Sequence, residues 1–292
     1  MIKVKPEREI CINITRRCNL RCPYCYVADF INQKNSHKKM DLSLDEIKKL
    51  THLEEIDSVY LTGGEPFLNP EIKEIINYFH NAGKRINIAS NGLLIDNQMM
   101  LFLSEKKVKL LISVREEFEE TFKIINKVTS AGIALECYHL PVKNSPYILT
   151  SLLDECHNIN KIKLLYDSQK PKKAKEWFGL LYDIYNALKQ INASVDISVE
   201  TAFLPKDNVI AKSEGRGAFD RIQISTEGEY YYCPLLVSRV NGCSNTTPPK
   251  CNTDICPILT LKLDEEKLSS VCCFLVSSLK NAIKIGKYGG VI

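Results

Sequence analysis

Thr15-Arg16-Arg17-Cys18-Asn19-Leu20-Arg21-Cys22-Pro23-Tyr24-Cys25-Tyr26 follows directly on the strand-like run Ile10–Ile14. Cys18, Cys22 and Cys25 form a C-x3-C-x2-C triplet on what must be a short loop. Three thiolates this close can hold three corners of an iron–sulfur cluster. A four-iron cubane held at three corners keeps one iron open to a substrate or cofactor. Open positions mark reactive centres, whereas fully ligated ones are structural or electron-transferring. A structural zinc knuckle, or three unrelated thiols, would use the same residues, so the reading needs a second signal.

Outward from this loop, short apolar runs alternate with amphipathic stretches. Strands are expected at Ile10–Thr15, Ser58–Leu61, Arg85–Ser90, Lys109–Val114, Ile133–His139, Lys161–Leu165 and Ser194–Val199. Helices are expected at Leu44–Leu53, Glu71–Asn81, Asp96–Lys106, Glu117–Ala131, Ile148–His157 and Lys172–Gln190. Ser43 ahead of Asp45-Glu46 reads as a helix cap, and Asn69-Pro70-Glu71 as a second helix start with Pro at its first position. This βα alternation predicts an α/β fold, a partial (β/α)6 TIM-like barrel, followed by a small Cys-rich C-terminal extension. Chemistry in such barrels gathers at the C-terminal ends of the strands, where the triplet falls. Phe203–Gly217 has linker character and sets a boundary between a core over 1–205 and an extension over 206–292. Within the extension, Asp220–Ser225 and Glu229–Cys233 flank Thr226-Glu227-Gly228, a hairpin signal.

The second signal is Gly63-Gly64-Glu65-Pro66, immediately after strand two. Glycines at a strand end let backbone groups approach a ligand without side-chain obstruction. Ser90-Asn91-Gly92 closes strand three, and Ser113-Val114-Arg115 closes strand four. An Asn-Gly turn forms without any ligand too. Arg115 is able to pair a carboxylate from cofactor or substrate. Glu136, Tyr138 and His139 end strand five, and Glu200 follows the last strand.

The triplet after strand one, the aromatic Tyr24 before its last Cys and the Gly-Gly-Glu-Pro run after strand two resemble the radical S-adenosylmethionine (radical SAM) superfamily. That resemblance implies a [4Fe–4S] cluster on Cys18, Cys22 and Cys25, with S-adenosylmethionine (SAM) chelated at the open iron. It implies a SAM site formed by Tyr24, Gly63, Gly64, Glu65, Pro66, Ser90, Asn91 and Ser113, with Arg115 departing from the Ser-Ile-Asp-Gly pattern of many relatives. Tyr24 would lie near the adenine, and Pro23 would stiffen the loop. The implied activity is reductive cleavage of SAM to a 5′-deoxyadenosyl radical that abstracts a substrate hydrogen. A reducing partner such as ferredoxin or flavodoxin would supply the electron.

Six of the twelve cysteines lie between Cys233 and Cys273, while Cys11, Cys137 and Cys156 sit in apolar patterns and read as core thiols. Gly228-x4-Cys233-Pro234 resembles the signature opening the SPASM/Twitch extension of radical SAM enzymes. The usual preceding Cys and the dense CxxC run are absent, so one auxiliary [4Fe–4S] cluster is expected rather than two. Its best ligands are Cys233, Cys243, Cys251 and Cys256, with Cys272 or Cys273 as replacements. Four of these thiolates would also suit zinc. Adjacent Cys272 and Cys273 point in different directions, so one is a candidate catalytic hydrogen-atom donor.

Composition is ordinary for a globular protein: 292 residues, 45% hydrophobic, 25% charged and net charge +4. That charge is too mild to argue for nucleic acid. No apolar run approaches the roughly 18 residues of a membrane span, and the N-terminus lacks a secretory signal's apolar core. A cytoplasmic, reducing setting is therefore expected, where many cysteines suggest metal more than disulfides. SPASM/Twitch relatives often modify peptides or protein side chains, which makes a peptide substrate the first expectation. The chain begins almost at strand one, so a leader peptide would need a separate binding protein or the barrel itself. Two alternatives stand: a small-molecule catalyst in cofactor biosynthesis, like the molybdenum-cofactor GTP cyclase whose terminal glycine pair Gly289-Gly290 resembles, and an iron–sulfur electron carrier.

Overall fold

The computed structural model describes residues 9–25, 39–51, 53–116, 119–165, 174–199, 222–226, 228 and 230–231. Seven parallel-wound strands alternate with helices: β1 (Glu9–Thr15), α1 (Leu44–Leu50), β2 (Ser58–Gly63), α2 (Ile72–Asn81), β3 (Arg85–Ser90), α3 (Asn97–Glu105), β4 (Lys109–Val114), α4 (Glu119–Ser130), β5 (Leu135–His139), α5 (Ser145–Glu155), β6 (Lys161–Leu164), α6 (Ala174–Gln190) and β7 (Asp196–Val199). β8 (Ile222–Ile224) and β9 (Tyr230–Tyr231) complete an open sheet of order β7-β6-β5-β4-β3-β2-β1-β8-β9. The expected α/β, partial-barrel architecture is therefore present: an open sheet rather than a closed barrel. Two compact units divide the described residues. One holds β1–β3 with β8 and β9, the other holds β5–β7, and β4 crosses the division.

In the first unit, Ile10, Ile12 and Ile14 are at most 5% exposed and anchor β1 in the core. β1 pairs in parallel with β2, and β2 with β3. The loss of water from such apolar strands is the main stabilising term. Ser43 caps α1 in a full capping box with Glu46, as its sequence predicts. The next helix differs from expectation. α2 begins at Ile72, and Asn69 does not cap it. Asn69 Oδ1 accepts from Glu71 N–H, while its Nδ2 donates to Ile14 O at 2.7 Å and Leu42 O at 3.0 Å. Its buried amide is spent tying β1 to the segment before α1, so the chain turns through a short 3-10 helix (Pro66–Leu68) instead.

The hairpin signal is realised as β8 and β9, which pair antiparallel with Ile224 opposite Tyr230. β8 also lies parallel to β1 in the register Ile12↔Ile224. Asn13 Nδ2 donates to Ile224 O, and Arg16 Nε to Thr226 Oγ1 at 2.9 Å, both buried.

In the second unit, β5 pairs with β6 and β6 with β7, all in parallel. Cys137, Ile162 and Leu164 are fully buried. His139, 1% exposed, joins three elements. Its Nδ1 donates to Val114 O at 3.0 Å, and its Nε2 accepts from Ser145 Oγ at 2.6 Å. That hydroxyl in turn accepts the Val142 N–H. His139 thus fixes the β5 exit against β4 and the first turn of α5. Cys11, Cys137 and Cys156 are core thiols as expected, each at most 3% exposed. Among the described residues, no helix is long and apolar enough to cross a membrane.

Candidate active site

The cysteine loop grows out of the last residues of β1. Thr15 Oγ1 donates to Asp41 Oδ1 at 2.7 Å and accepts the Arg17 N–H at 3.0 Å, while Arg17 pairs with Asp41 at 2.8 Å. Arg16 N–H donates to Met40 O. Farther along, Arg21 folds back so that one guanidinium nitrogen donates to both Cys18 O and Leu20 O. Cys25 N–H donates to Cys22 O at 3.2 Å. Cys18, Cys22, Tyr24 and Cys25 are half-buried, and none of the cysteines is disulfide-bonded. Burial pushes the Cys18 thiol up, opposed by the N–H of Leu20 at its sulfur.

The Gly63-Gly64-Glu65 run holds the base of this loop. Gly64 N–H donates to Thr15 O at 2.8 Å and Glu65 N–H to Arg17 O at 2.7 Å, extending strand-like pairing to the residue before Cys18. The glycines are required by this approach. A Cβ on Gly63 would lie 2.3 Å from Thr15 O, and one on Gly64 2.1 Å from Arg17 O. Gly63 also has φ +133°, which side chains avoid. The sequence suggests room for a ligand; the structure shows room for the cysteine loop's own backbone.

Glu65 is 1% exposed and is the hub of the site. Ser90 Oγ donates to its Oε1 at 2.8 Å, Asn91 N–H to its Oε2 at 2.9 Å, and Phe67 N–H to Oε1 at 3.3 Å. Burial pushes its carboxyl up, and these three donors pull it back. Ser90 Oγ also accepts Gly92 N–H, and Asn91 Oδ1 accepts Leu93 N–H, so the Ser90-Asn91-Gly92 turn is internally braced. Asn91 Nδ2 then donates to Asn19 Oδ1 at 2.9 Å, inside the C-x3-C segment. Pro66 is buried at the start of the 3-10 turn that follows.

Cys18, Cys22, Cys25, Gly63, Gly64, Glu65, Ser90 and Asn91 therefore belong to one bonded assembly in the first unit. Asn19 completes it, and sequence reasoning passed it over; its place between two cysteines was the available signal. Ser113 and Arg115 lie in the second unit at the exit of β4, both half-buried. Cys233, Cys243, Cys251, Cys256, Cys272 and Cys273, together with Glu200 and the glycine pair at 289–290, lie outside the described residues.

The family model for the radical SAM superfamily matches residues 12–141, the span from β1 through β5. The chain carries a radical SAM domain. Its three cysteines fit the four-iron cluster of that superfamily. They are sulfur donors on one loop, kept out of disulfides, with backbone and side-chain bonds at both ends. Among the described residues no three His, Cys, Asp or Glu side chains converge as a single ion requires. A cluster makes a different demand, because each thiolate binds a separate iron.

Relatives of this chain differ in what their names describe. It is 27% identical over 255 residues to an uncharacterized protein of Methanocaldococcus jannaschii, covering 78% of this chain and 85% of that one. It is 36% identical over 173 residues to a probable GTP 3′,8-cyclase of Methanococcus maripaludis, covering 53% of this chain and 57% of the cyclase. It is 27% identical over 118 residues to the antilisterial bacteriocin subtilosin biosynthesis protein AlbA of Bacillus subtilis, covering 38% of this chain and 25% of AlbA. Among solved structures, Streptococcus suis SuiB bound to S-adenosylmethionine has a TM-score of 0.66 at 15% identity, covering 90% of this chain and 65% of SuiB. The last likeness is one of fold.

Proposed function

We propose that this chain is a radical SAM enzyme that abstracts a hydrogen atom from a peptide or protein substrate in the course of its modification. The observation that carries the SAM chemistry is the double anchoring of the cysteine loop: Glu65 N–H on Arg17 O at its base, and Asn91 Nδ2 on Asn19 Oδ1 within it. When bound, the cluster and SAM supply reductive carbon–sulfur cleavage and a 5′-deoxyadenosyl radical. The chain's residues hold and orient them. Cys18, Cys22 and Cys25 are the cluster ligands. Tyr24, the Gly63–Pro66 run, Ser90 and Asn91 shape the SAM site.

The substrate class rests on two supports. AlbA, by its printed name a protein of bacteriocin biosynthesis, shares 118 aligned residues with this chain. Gly228-x4-Cys233-Pro234 has the form that opens auxiliary-cluster extensions in peptide-modifying relatives. Cys233, Cys243, Cys251 and Cys256 are proposed to hold one auxiliary [4Fe–4S] cluster, and Cys272 or Cys273 to return a hydrogen atom. A ferredoxin- or flavodoxin-type protein would act as reductant, and a separate protein would present any leader peptide. A cytoplasmic setting suits these oxygen-sensitive cofactors.

The cyclase likeness favours a second reading, a small-molecule substrate. The two separate by isotope transfer. The reconstituted enzyme is reduced with SAM and either a deuterated peptide encoded beside its gene or deuterated GTP. Deuterium in 5′-deoxyadenosine from the peptide supports the first reading, and deuterium from GTP supports the second.

A further inference from the structure

The three arginines of the cysteine loop are used differently. Arg16 is 3% exposed, and its Nε is taken by Thr226 Oγ1. Arg17 is exposed, but Asp41 stands 2.8 Å away and offsets its charge. Arg21 is exposed too, and among the described residues no carboxylate pairs with it. No Asp or Glu occurs between Thr15 and Cys25. Arg21 Nη1 donates instead to Cys18 O at 2.9 Å and to Leu20 O at 2.8 Å. A guanidinium keeps its proton in a protein, so a permanent positive charge is bonded to the backbone of the first cysteine.

Those two bonds close a small turn. Leu20, whose carbonyl Arg21 holds, brings its own N–H to Cys18 Sγ at 3.4 Å. Asn19, inside the same turn, is held by Asn91. Bracing of this kind does not call for a cation. The neutral amide of Asn69 ties two carbonyls in the same way, those of Ile14 and Leu42. What Arg21 adds to the turn is charge.

The reduction potential of an iron–sulfur cluster follows its net charge, the hydrogen bonds to its sulfurs and its exposure. Reduction adds one negative charge, so a cation held on a ligand residue favours the reduced form. We propose that Arg21 is a positioning residue whose charge, fixed on Cys18 O, raises the reduction potential of the cluster on Cys18, Cys22 and Cys25. The assignment rests on the radical SAM reading. It concerns one electron taken from an external reductant, with no bond formed or broken.

The test is a charge ladder at position 21. The full chain is reconstituted anaerobically and poised with dithionite, and its midpoint potential is followed by electron paramagnetic resonance. The signal measured is the one that changes when SAM is added. Arg21→Lys keeps the charge, Arg21→Gln removes it and Arg21→Glu reverses it. An exposed charge is screened, so each unit should change the ratio of reduced to oxidised cluster about threefold, or about 28 mV at 59 mV per tenfold. Arg21→Lys should lie near the wild type, Arg21→Gln one such step below it and Arg21→Glu two. The Arg21→Gln shift should shrink toward zero in about 1 M salt, where screening is complete within a few Å.

Iron per chain and circular dichroism are checked for each variant, and the wild type with either Arg21→Gln or Arg21→Glu fixes the slope. Failure of both to bind iron would make Arg21 a structural brace and overturn the proposal. So would a wild-type potential in Arg21→Gln, or a shift in Arg21→Lys as large as in Arg21→Gln. A wild type with no SAM-responsive signal would overturn the radical SAM reading and the proposal with it. A SAM-responsive signal indifferent to the charge at position 21 overturns the proposal alone.

Discussion

Asn91 Nδ2 donates to Asn19 Oδ1 at 2.9 Å, joining the turn after β3 to the cysteine loop after β1 across 72 residues of sequence. The same Asn91 gives its backbone N–H to the buried Glu65. One residue thus couples the cysteine loop to the Gly63–Pro66 run, and each end of its side-chain amide bonds to a protein group.

That pairing predicts coupled behaviour of Asn19 and Asn91. Asn19→Ala and Asn91→Ala should each speed alkylation of Cys18 and Cys22 in the metal-free protein. The double variant should be no faster than the quicker single one. Additive rates would mean that the two amides act independently. Asn19→Asp keeps the acceptor and should restore slow alkylation.

Glu65→Ala strips the acceptor from Ser90 Oγ, Asn91 N–H and Phe67 N–H. Buried donors left unsatisfied cost about 1–3 kcal/mol each. At the low end of that range for the three donors together, a loss of about 3 kcal/mol in denaturant unfolding is expected. Glu65→Gln keeps one acceptor oxygen and should lose about half of that. An unchanged midpoint for Glu65→Ala would remove Glu65 from its place as hub.

Gly64→Ala would put a methyl 2.1 Å from the Arg17 carbonyl, and backbone on both sides cannot yield cheaply. The cysteine loop should be displaced, and iron bound on anaerobic reconstitution should fall at the Cys18–Cys22–Cys25 site. Gly83→Ala is the control: a Cβ there meets nothing within 4 Å, so iron content should hold despite some strain from its φ of +70°.

His139 gives a pH dependence of stability. Burial pushes its pKa down to about 4 from the ordinary 6.5, against the pull of its bond to Val114 O. Below about pH 6.5 the unfolded chain takes up a proton that the folded chain resists until about pH 4. Stability is therefore full above that window and falls as pH drops through it, by about 3 kcal/mol in all. Urea midpoints at pH 7 and pH 4.5 should differ less in His139→Gln than in the wild type; equal differences would refute the assignment.

Much of the fold was legible because its signals are local. The alternation of Ile10, Ile12 and Ile14, or of Cys137 and His139, marks a strand without knowledge of its partner. Cys18, Cys22, Cys25 and Gly63–Pro66 were legible as motifs for the same reason. Pairings were not. Nothing in the pattern near Asn69 indicates that its amide serves Ile14 and Leu42 rather than the helix after it. Arg16 and Thr226 meet across 210 residues, and β8 takes its place beside β1 although β2 to β7 intervene in sequence. Gly63 and Gly64 were read for a ligand's approach, yet the closest atoms to them belong to Thr15 and Arg17.

The most direct test of the account is SAM cleavage by the anaerobically reconstituted, reduced protein, with Cys18, Cys22 and Cys25 intact or all changed to Ala. The wild type should release 5′-deoxyadenosine, and the triple variant should release none while keeping the wild-type circular dichroism spectrum. Continued release by the folded triple variant would contradict the central claim.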